Sequence, residues 1–222
     1  MIEITCDKLF ESIPPYLAKL FNNANYPWDV LKNINSYIKE IYEECLQNGF
    51  TEYSKGVLIG KKASIATTAT IIPPAIIGHE TEVRHCAYIR GNVITGRGSV
   101  IGNSCEIKNS VILDYVQIPH FNYVGDSVIG NYGHLGAGVV CSNVKSDKSL
   151  VIVKSEPEIE TGLKKFGAVL ADHAEVGCGS VLNPGTIICQ NARVYPLTSV
   201  RGVIPPDSIM KSVNNIVPIN NK

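Results

Sequence analysis

Arg90 and Lys108 stand eighteen residues apart, and each follows an isoleucine, Ile89 and Ile107. A chain that retraced its path every eighteen residues would send both side chains out of one face, one above the other. Two cations about one strand spacing apart repel unless an anion lies between them, and a phosphate is the natural guest. Further on, "IPHFNYVGDSVIG" sets His120 behind the fixed backbone of Pro119 and just before Tyr123, with Asn143 beyond. Together they would gather a cationic pair, a histidine, a phenol and an amide in one place. Two solvated surface cations would look the same in isolation, so the decision rests on what positions them.

The positioning element is a repeat. Every sixth position from Ile59 reads Ile65, Ile71, Ile77, Val83, Ile89, Thr95, Ile101 and Ile107, and the residue four further on is mostly small, as in Ala63, Ala69, Ala75 and Ala87. Glycine often follows the branched residue, as at Gly60, Gly78 and Gly102, where a tight corner needs it. This is the hexapeptide signature of a parallel β-helix, an all-β fold in which three hexapeptides make one coil and coils stack at the strand spacing. The beat runs again from Leu170 through Val176, Leu182, Ile188, Val194 and Val200. Between Ile107 and Cys141 the inward positions become Ile112, Ile118, Val124, Ile129 and Leu135, so steps of five intrude. The shortened steps bring Gly125 and Ser142 into the column of Arg90 and Lys108, flanked by Tyr123 and Asn143, and the slip is expected to present His120 beside that column.

Three stretches lie outside the beat. Residues 1–50 carry Ile34, Ile38, Ile41 and Cys45 at helical spacing after Pro27 and Asp29, which predicts a helical cap over the open N-terminal end of the coil stack. Residues 142–168 are expected to leave the solenoid as a loop or hairpin, and residues 206–222 to form a C-terminal tail beyond a β-helix spanning 56–205.

Twenty basic residues balance twenty acidic ones, so no global field attracts nucleic acid or an anionic membrane surface. No apolar run approaches a membrane span and the first residues lack a signal-peptide pattern, which gives a cytoplasmic expectation. The seven cysteines are odd in number and contain no C-x-x-C pair, the pattern of reduced thiols rather than of a disulfide framework or zinc site. His79, His85 and His173 read as surface residues without metal-ligand spacing, so no metal is expected.

The stretches "EIKNSVIL", "PHFNYVGDSVIG", "LGAG" and "TGLKKFGAVLAD" carry a more specific likeness. Over roughly residues 56–205 the chain resembles the acetyltransferase domain of bifunctional glucosamine-1-phosphate N-acetyltransferase and N-acetylglucosamine-1-phosphate uridyltransferase, and still more the C-terminal β-helix of archaeal-type sugar-1-phosphate nucleotidylyltransferases. The resemblance implies a left-handed β-helix, a homotrimer, and acetyl-CoA as co-substrate for N-acetylation of an amino-sugar 1-phosphate of the glucosamine or galactosamine kind. It makes His120 the general base, Arg90 and Lys108 the phosphate clamp, and Tyr123 and Asn143 sugar contacts. His134 stands at a substrate position where the family has Asn. Ala137, Cys178 and Pro196 fall near the family's coenzyme positions, and transfer can be direct, with no cysteine nucleophile and no metal. The family's Arg-Pro-Gly reads Arg90-Gly91-Asn92 here. Residues 1–50 contain only Gly49 and are too short for a nucleotide-binding domain, so no nucleotidyltransferase activity is expected. The alternative is a trimeric sugar-phosphate-binding or scaffold module that has lost turnover.

Overall fold

The six-residue beat becomes three flat faces. In the computed structural model, which describes residues 2–219, the chain winds as a left-handed parallel β-helix of seven complete coils and part of an eighth. The first face starts at Val57–Ile59, the second at Ser64–Ile65 and the third at Thr70–Ile71. Successive coils pair in register, with Ile59 on Ile77, Ile65 on Val83 and Ile71 on Ile89. Branched residue therefore sits on branched residue, and the interior is one continuous apolar column from Val57 to Met210. Burying each such side chain contributes about 1.5–3 kcal/mol. The strand Thr51–Ser54 pairs antiparallel with Val57–Ile59 at one end of the first face, and Asn215–Pro218 pairs antiparallel with Ser208–Ser212 at the other end of the second. Both cover strand edges that would otherwise template association. The solenoid thus runs past 205, since Ser208–Ser212 stacks on Arg193–Val194 and Met210 is buried in the interior.

The shortened steps fall where the inward count puts them, from Ile107 to Ile112 and from Val124 to Ile129, and neither lies at His120. Ser110 pairs with Val93, seventeen residues earlier, and Val128 with Val111, again seventeen. The residue is lost at the corner between the third and first faces. The longer corner uses two left-handed residues, Gly91 (φ 83°) and Asn92 (φ 51°), whereas the shorter ones use one, Asn109 (φ 45°) and then Asp126 (φ 50°). Short polar side chains tolerate this conformation better than most.

The helices do not cap the end of the stack. Helices Cys6–Leu9, Ala18–Asn22, Ile34–Glu40 and Tyr42–Gln47 lie along the outer side of the first face. Tyr16 donates to the Thr95 carbonyl (2.8 Å), Asn131 to the Ser12 carbonyl (2.9 Å), and Asp172 accepts from the Glu11 amide (2.8 Å), so the layer spans many coils. Ile34, Ile38, Ile41 and Cys45 are buried there as their spacing requires, while Ile59, Ile65 and Ile71 of the first coil stay only partly covered. The reason lies on the first face itself. Leu58, Ile76, Ile94, Val111, Val128, Val169 and Ile187 point out of the solenoid and are fully buried beneath the helices. Strands apolar on both sides need a cover on both sides. The excursion after Cys141 forms a hairpin, Ile152–Val153 with Ile159–Glu160, and lends Val151, Val153 and Phe166 to the same cluster, with Phe166 5.3 Å from the Trp28 ring.

Ile94→Ala removes a side chain at this seam and is expected to lower stability by about 2–5 kcal/mol. The outward Val181 of the third face is exposed, and Val181→Ala is expected to stay within about 0.5 kcal/mol. Urea unfolding of the two variants measures the difference, and equal effects would mean that the helical layer does not seal the first face.

Candidate functional site

The third face aligns its side chains in columns. Ile89 pairs with Ile107, and Lys108 with Gly125, so Arg90, Lys108 and Gly125 stand one above another, with Ser142 next in line. Each cation is met by a carboxylate. Arg90 Nη1 lies 2.6 Å from Glu106 and Lys108 Nζ 3.4 Å from Asp126. The column is therefore electrically balanced. The half-exposed Arg90–Glu106 pair contributes little to stability.

Gly125 explains how Tyr123 and Asn143 come together. A Cβ at that position would lie 2.5 Å from the Tyr123 hydroxyl and 2.8 Å from Asn143 Nδ2. The bare backbone thus leaves the space in which the phenol and the amide meet, with Asn143 Nδ2 donating to Tyr123 Oη at 3.2 Å. Burial, with the nearby Asp126 and Glu106 carboxylates, holds the Tyr123 phenol above its ordinary pKa. Asp126 is only 6% exposed in its side chain. It accepts from Asn109 Nδ2 (2.8 Å), from Lys108 and from Asn143.

His120 ends the strand Gln117–His120 on the second face, at the corner that leads into Tyr123–Gly125 on the third. Gly102 in the coil before has no side chain, and a Cβ there would collide with the Pro119 carbonyl. This lets Pro119 pack closely and hand His120 to the corner. Asn122 pins the turn. Its Oδ1 accepts from the His120 amide (3.1 Å) and its Nδ2 donates to the Gly136 carbonyl in the next coil (2.7 Å). Backbone bonds run on from His120 to Gly138, from Ala137 to Gly179 and from Cys178 to Leu197, so His120, Ala137, Cys178 and Pro196 share one column. Beside it Phe121, Gly138, Gly179 and Leu197 all take positive φ. Phe121 and Leu197 stand out at the two ends of this row, 62% and 84% exposed, and the Leu197 side chain lies over Gly179.

His134 is placed apart. It pairs with Gln117 on the second face and is exposed there, about three strand residues, or ~10 Å, back from the His120 corner. Within one chain it does not join the cluster of Lys108, Tyr123 and Asn143. Sequence reasoning does not single out Asn122 or Asp126. Asn122 carries a signal, being an amide in the otherwise small inward series that holds Ala87, Cys105 and Ala174. Among the described residues no group of three or more His, Cys, Asp or Glu could hold a metal ion, and no helix is long and apolar enough to cross a membrane.

A family model described as the GMPPB C-terminal domain matches residues 71–190. The chain is 32% identical over 199 residues to a bifunctional protein GlmU of Methanococcus vannielii, covering 86% of this chain and 48% of that protein. It is 38% identical over 111 residues to a bifunctional sugar-1-phosphate nucleotidylyltransferase/acetyltransferase of Sulfurisphaera tokodaii, covering 50% of this chain and 28% of that protein. The chain thus spans about half the length, or less, of these curated relatives. A hexapeptide transferase family protein from Anaplasma phagocytophilum shares the fold, with a TM-score of 0.50 at 16% identity over 75% of this chain and 80% of that one.

Gly125→Ala is expected to drive the Tyr123 hydroxyl and the Asn143 amide apart and to cost about 1–3 kcal/mol through overpacking. Urea unfolding together with the Tyr123 ring resonances would register it. A variant with unchanged stability and ring shifts would mean that the space over Gly125 is open.

Proposed function

The chain belongs to the family of the GMPPB C-terminal domain, and on that footing we propose that it is a hexapeptide-repeat N-acetyltransferase that moves an acetyl group from acetyl-CoA to the amine of an amino-sugar 1-phosphate. The carrying observation is the alignment of Arg90, Lys108 and bare Gly125 in one column, with Tyr123 and Asn143 meeting over the glycine and His120 on the same coil. The phosphate takes the clamp, Arg90 exchanging Glu106 for it. The sugar extends back along Tyr123–Gly125 toward the corner.

At the corner an ammonium has no lone pair to attack with, so the proton must leave first. That first proton goes to solvent. As the neutral amine nitrogen bonds to the thioester carbonyl carbon, the His120 imidazole takes a second proton from it, and the carbon–sulfur bond breaks to leave a neutral amide. The proton then passes from the imidazolium to the departing thiolate, and His120 is neutral again. The column of Ala137, Cys178 and Pro196, with glycines beside it and the exposed Phe121 and Leu197 at its ends, would lie along an extended thioester arm. No enzyme nucleophile or metal enters this sequence of steps.

A homotrimer fits the same geometry. Helices cover the first face, which leaves the other two faces and the Phe121–Leu197 corner for contact between copies. A second copy there would turn this one-sided column into a groove and could bring its own second face, with His134, toward the site. A second reading, a trimeric sugar-phosphate-binding module without turnover, draws on His134 and on the carboxylates already seated on both cations.

Acetyl-CoA and a panel of amino-sugar 1-phosphates, followed by release of free thiol, separate the two readings. Turnover with at least one sugar is expected. His120→Ala is expected to reduce it about 10²- to 10⁴-fold with folding intact, and unchanged turnover would remove His120 as the base. Binding across the panel with no thiol release would establish the module instead. Light scattering is expected to give three copies per particle, and a monomer at assay concentration would count against both.

A further inference from the structure

Asp126 sits where the shortened corner closes, with backbone φ of 50° and its side chain nearly sealed from solvent. Three groups converge on its carboxylate. Lys108 Nζ lies 3.4 Å away, Asn109 Nδ2 donates at 2.8 Å, and Asn143 Nδ2 donates to the same oxygen that faces the lysine. A carboxylate only accepts, so the nitrogen end of the Asn143 amide must face it. The same nitrogen donates to Tyr123 Oη, and a donor approaching the phenol oxygen leaves the phenol proton to point elsewhere. The orientation of two side chains is thereby decided by a third that no substrate need touch.

We propose that Asp126 is a positioning residue that fixes the hydrogen-bond polarity of the sugar-facing pair, so that Tyr123 presents its O–H and Asn143 its carbonyl oxygen. The pair then matches a group that both accepts and donates, such as a sugar hydroxyl, and discriminates against an ether at that position. The Lys108 ammonium is tethered by the same carboxylate, which ties the clamp to the sugar pair. This deepens the acetyl-transfer reading and rests on it for the identity of the ligand, while the polarity itself is set within the free protein.

Asp126→Asn tests it. Asparagine has the same shape and tolerates positive φ, so the fold survives, but an amide at 126 lets Asn109 and Asn143 turn over. The expected result is a rise in KM for the amino-sugar 1-phosphate of about 10- to 100-fold, the loss of a charge-assisted hydrogen bond, with KM for acetyl-CoA unchanged. The exchange D126N/N143D restores an amide–carboxylate bond with the partners swapped. Stability should return, but the carboxylate now at position 143 would accept from the Tyr123 O–H and turn it inward, so the sugar KM stays high. An unchanged sugar KM in D126N overturns the proposal, and so does a double variant that regains wild-type KM along with stability.

Carbon-13 tyrosine NMR, assigned with Tyr123→Phe, reads the network without ligand. The Tyr123 ring resonances should shift in D126N as the Asn143 amide turns over beside them, and unmoved resonances also overturn the proposal. Calorimetry with glucosamine 1-phosphate and galactosamine 1-phosphate separates the two readings. Binding by the wild type that weakens in D126N, without thiol release, ends the transfer reading and keeps this one. A wild type that binds neither sugar ends both.

Discussion

The register between coils is what everything else in this molecule hangs on. Each strand gives its backbone N–H and C=O groups to the coils before and after it, and pairs such as Ile89 with Ile107 and Lys108 with Gly125 are held one strand spacing apart by those bonds. Side chains cannot drift from their columns without breaking a ladder of such bonds. The interior becomes a stack of isoleucines and valines, and the outside becomes a rigid frame. Rigidity of that kind suits a site, because donors and charges set in place beforehand need no reorganisation when substrate arrives.

The three faces are not equivalent, and their inequality distributes the work. On the first face the residue between two inward positions is apolar in coil after coil, from Leu58 to Ile187, and the N-terminal helices and the Phe166 excursion bury it. On the second and third faces the corresponding residues are Gln117, His134, Glu106 and Tyr123. One side is spent on stability, and the other two with their shared corner are left to bind.

Charge in the site is balanced before any ligand arrives. Arg90 and Lys108 face Glu106 and Asp126, so no net positive field stands over the column. The two carboxylates differ in kind. Glu106 is accessible and replaceable, whereas Asp126 is enclosed and holds an amide and, through it, a phenol as well as the lysine. The corner that lost one residue is what brings Asp126 under Asn143, so an irregularity in the repeat has a structural consequence one coil away.

The sequence by itself determined the coil and its columns, because a six-residue period in branched residues maps linearly onto stacked strands. Arg90 over Lys108 over Gly125, and the inward run from Ile112 to Cys141, could be read by counting. The tertiary structure alone decided three things. It laid the helices along a face instead of over an end, although the triplets "VLI", "AII" and "VIT" held that information every eighteen residues. It set the left-handed turn of each shortened corner at Asn109 and Asp126, because the residue that turns is the one that accepts positive φ. And it joined Asp126 to Asn143 and separated His134 from both. Hydrogen bonds between side chains and the choice among three faces depend on distances across coils, and a one-dimensional period gives the spacing of those coils but not the direction in which a polar side chain turns.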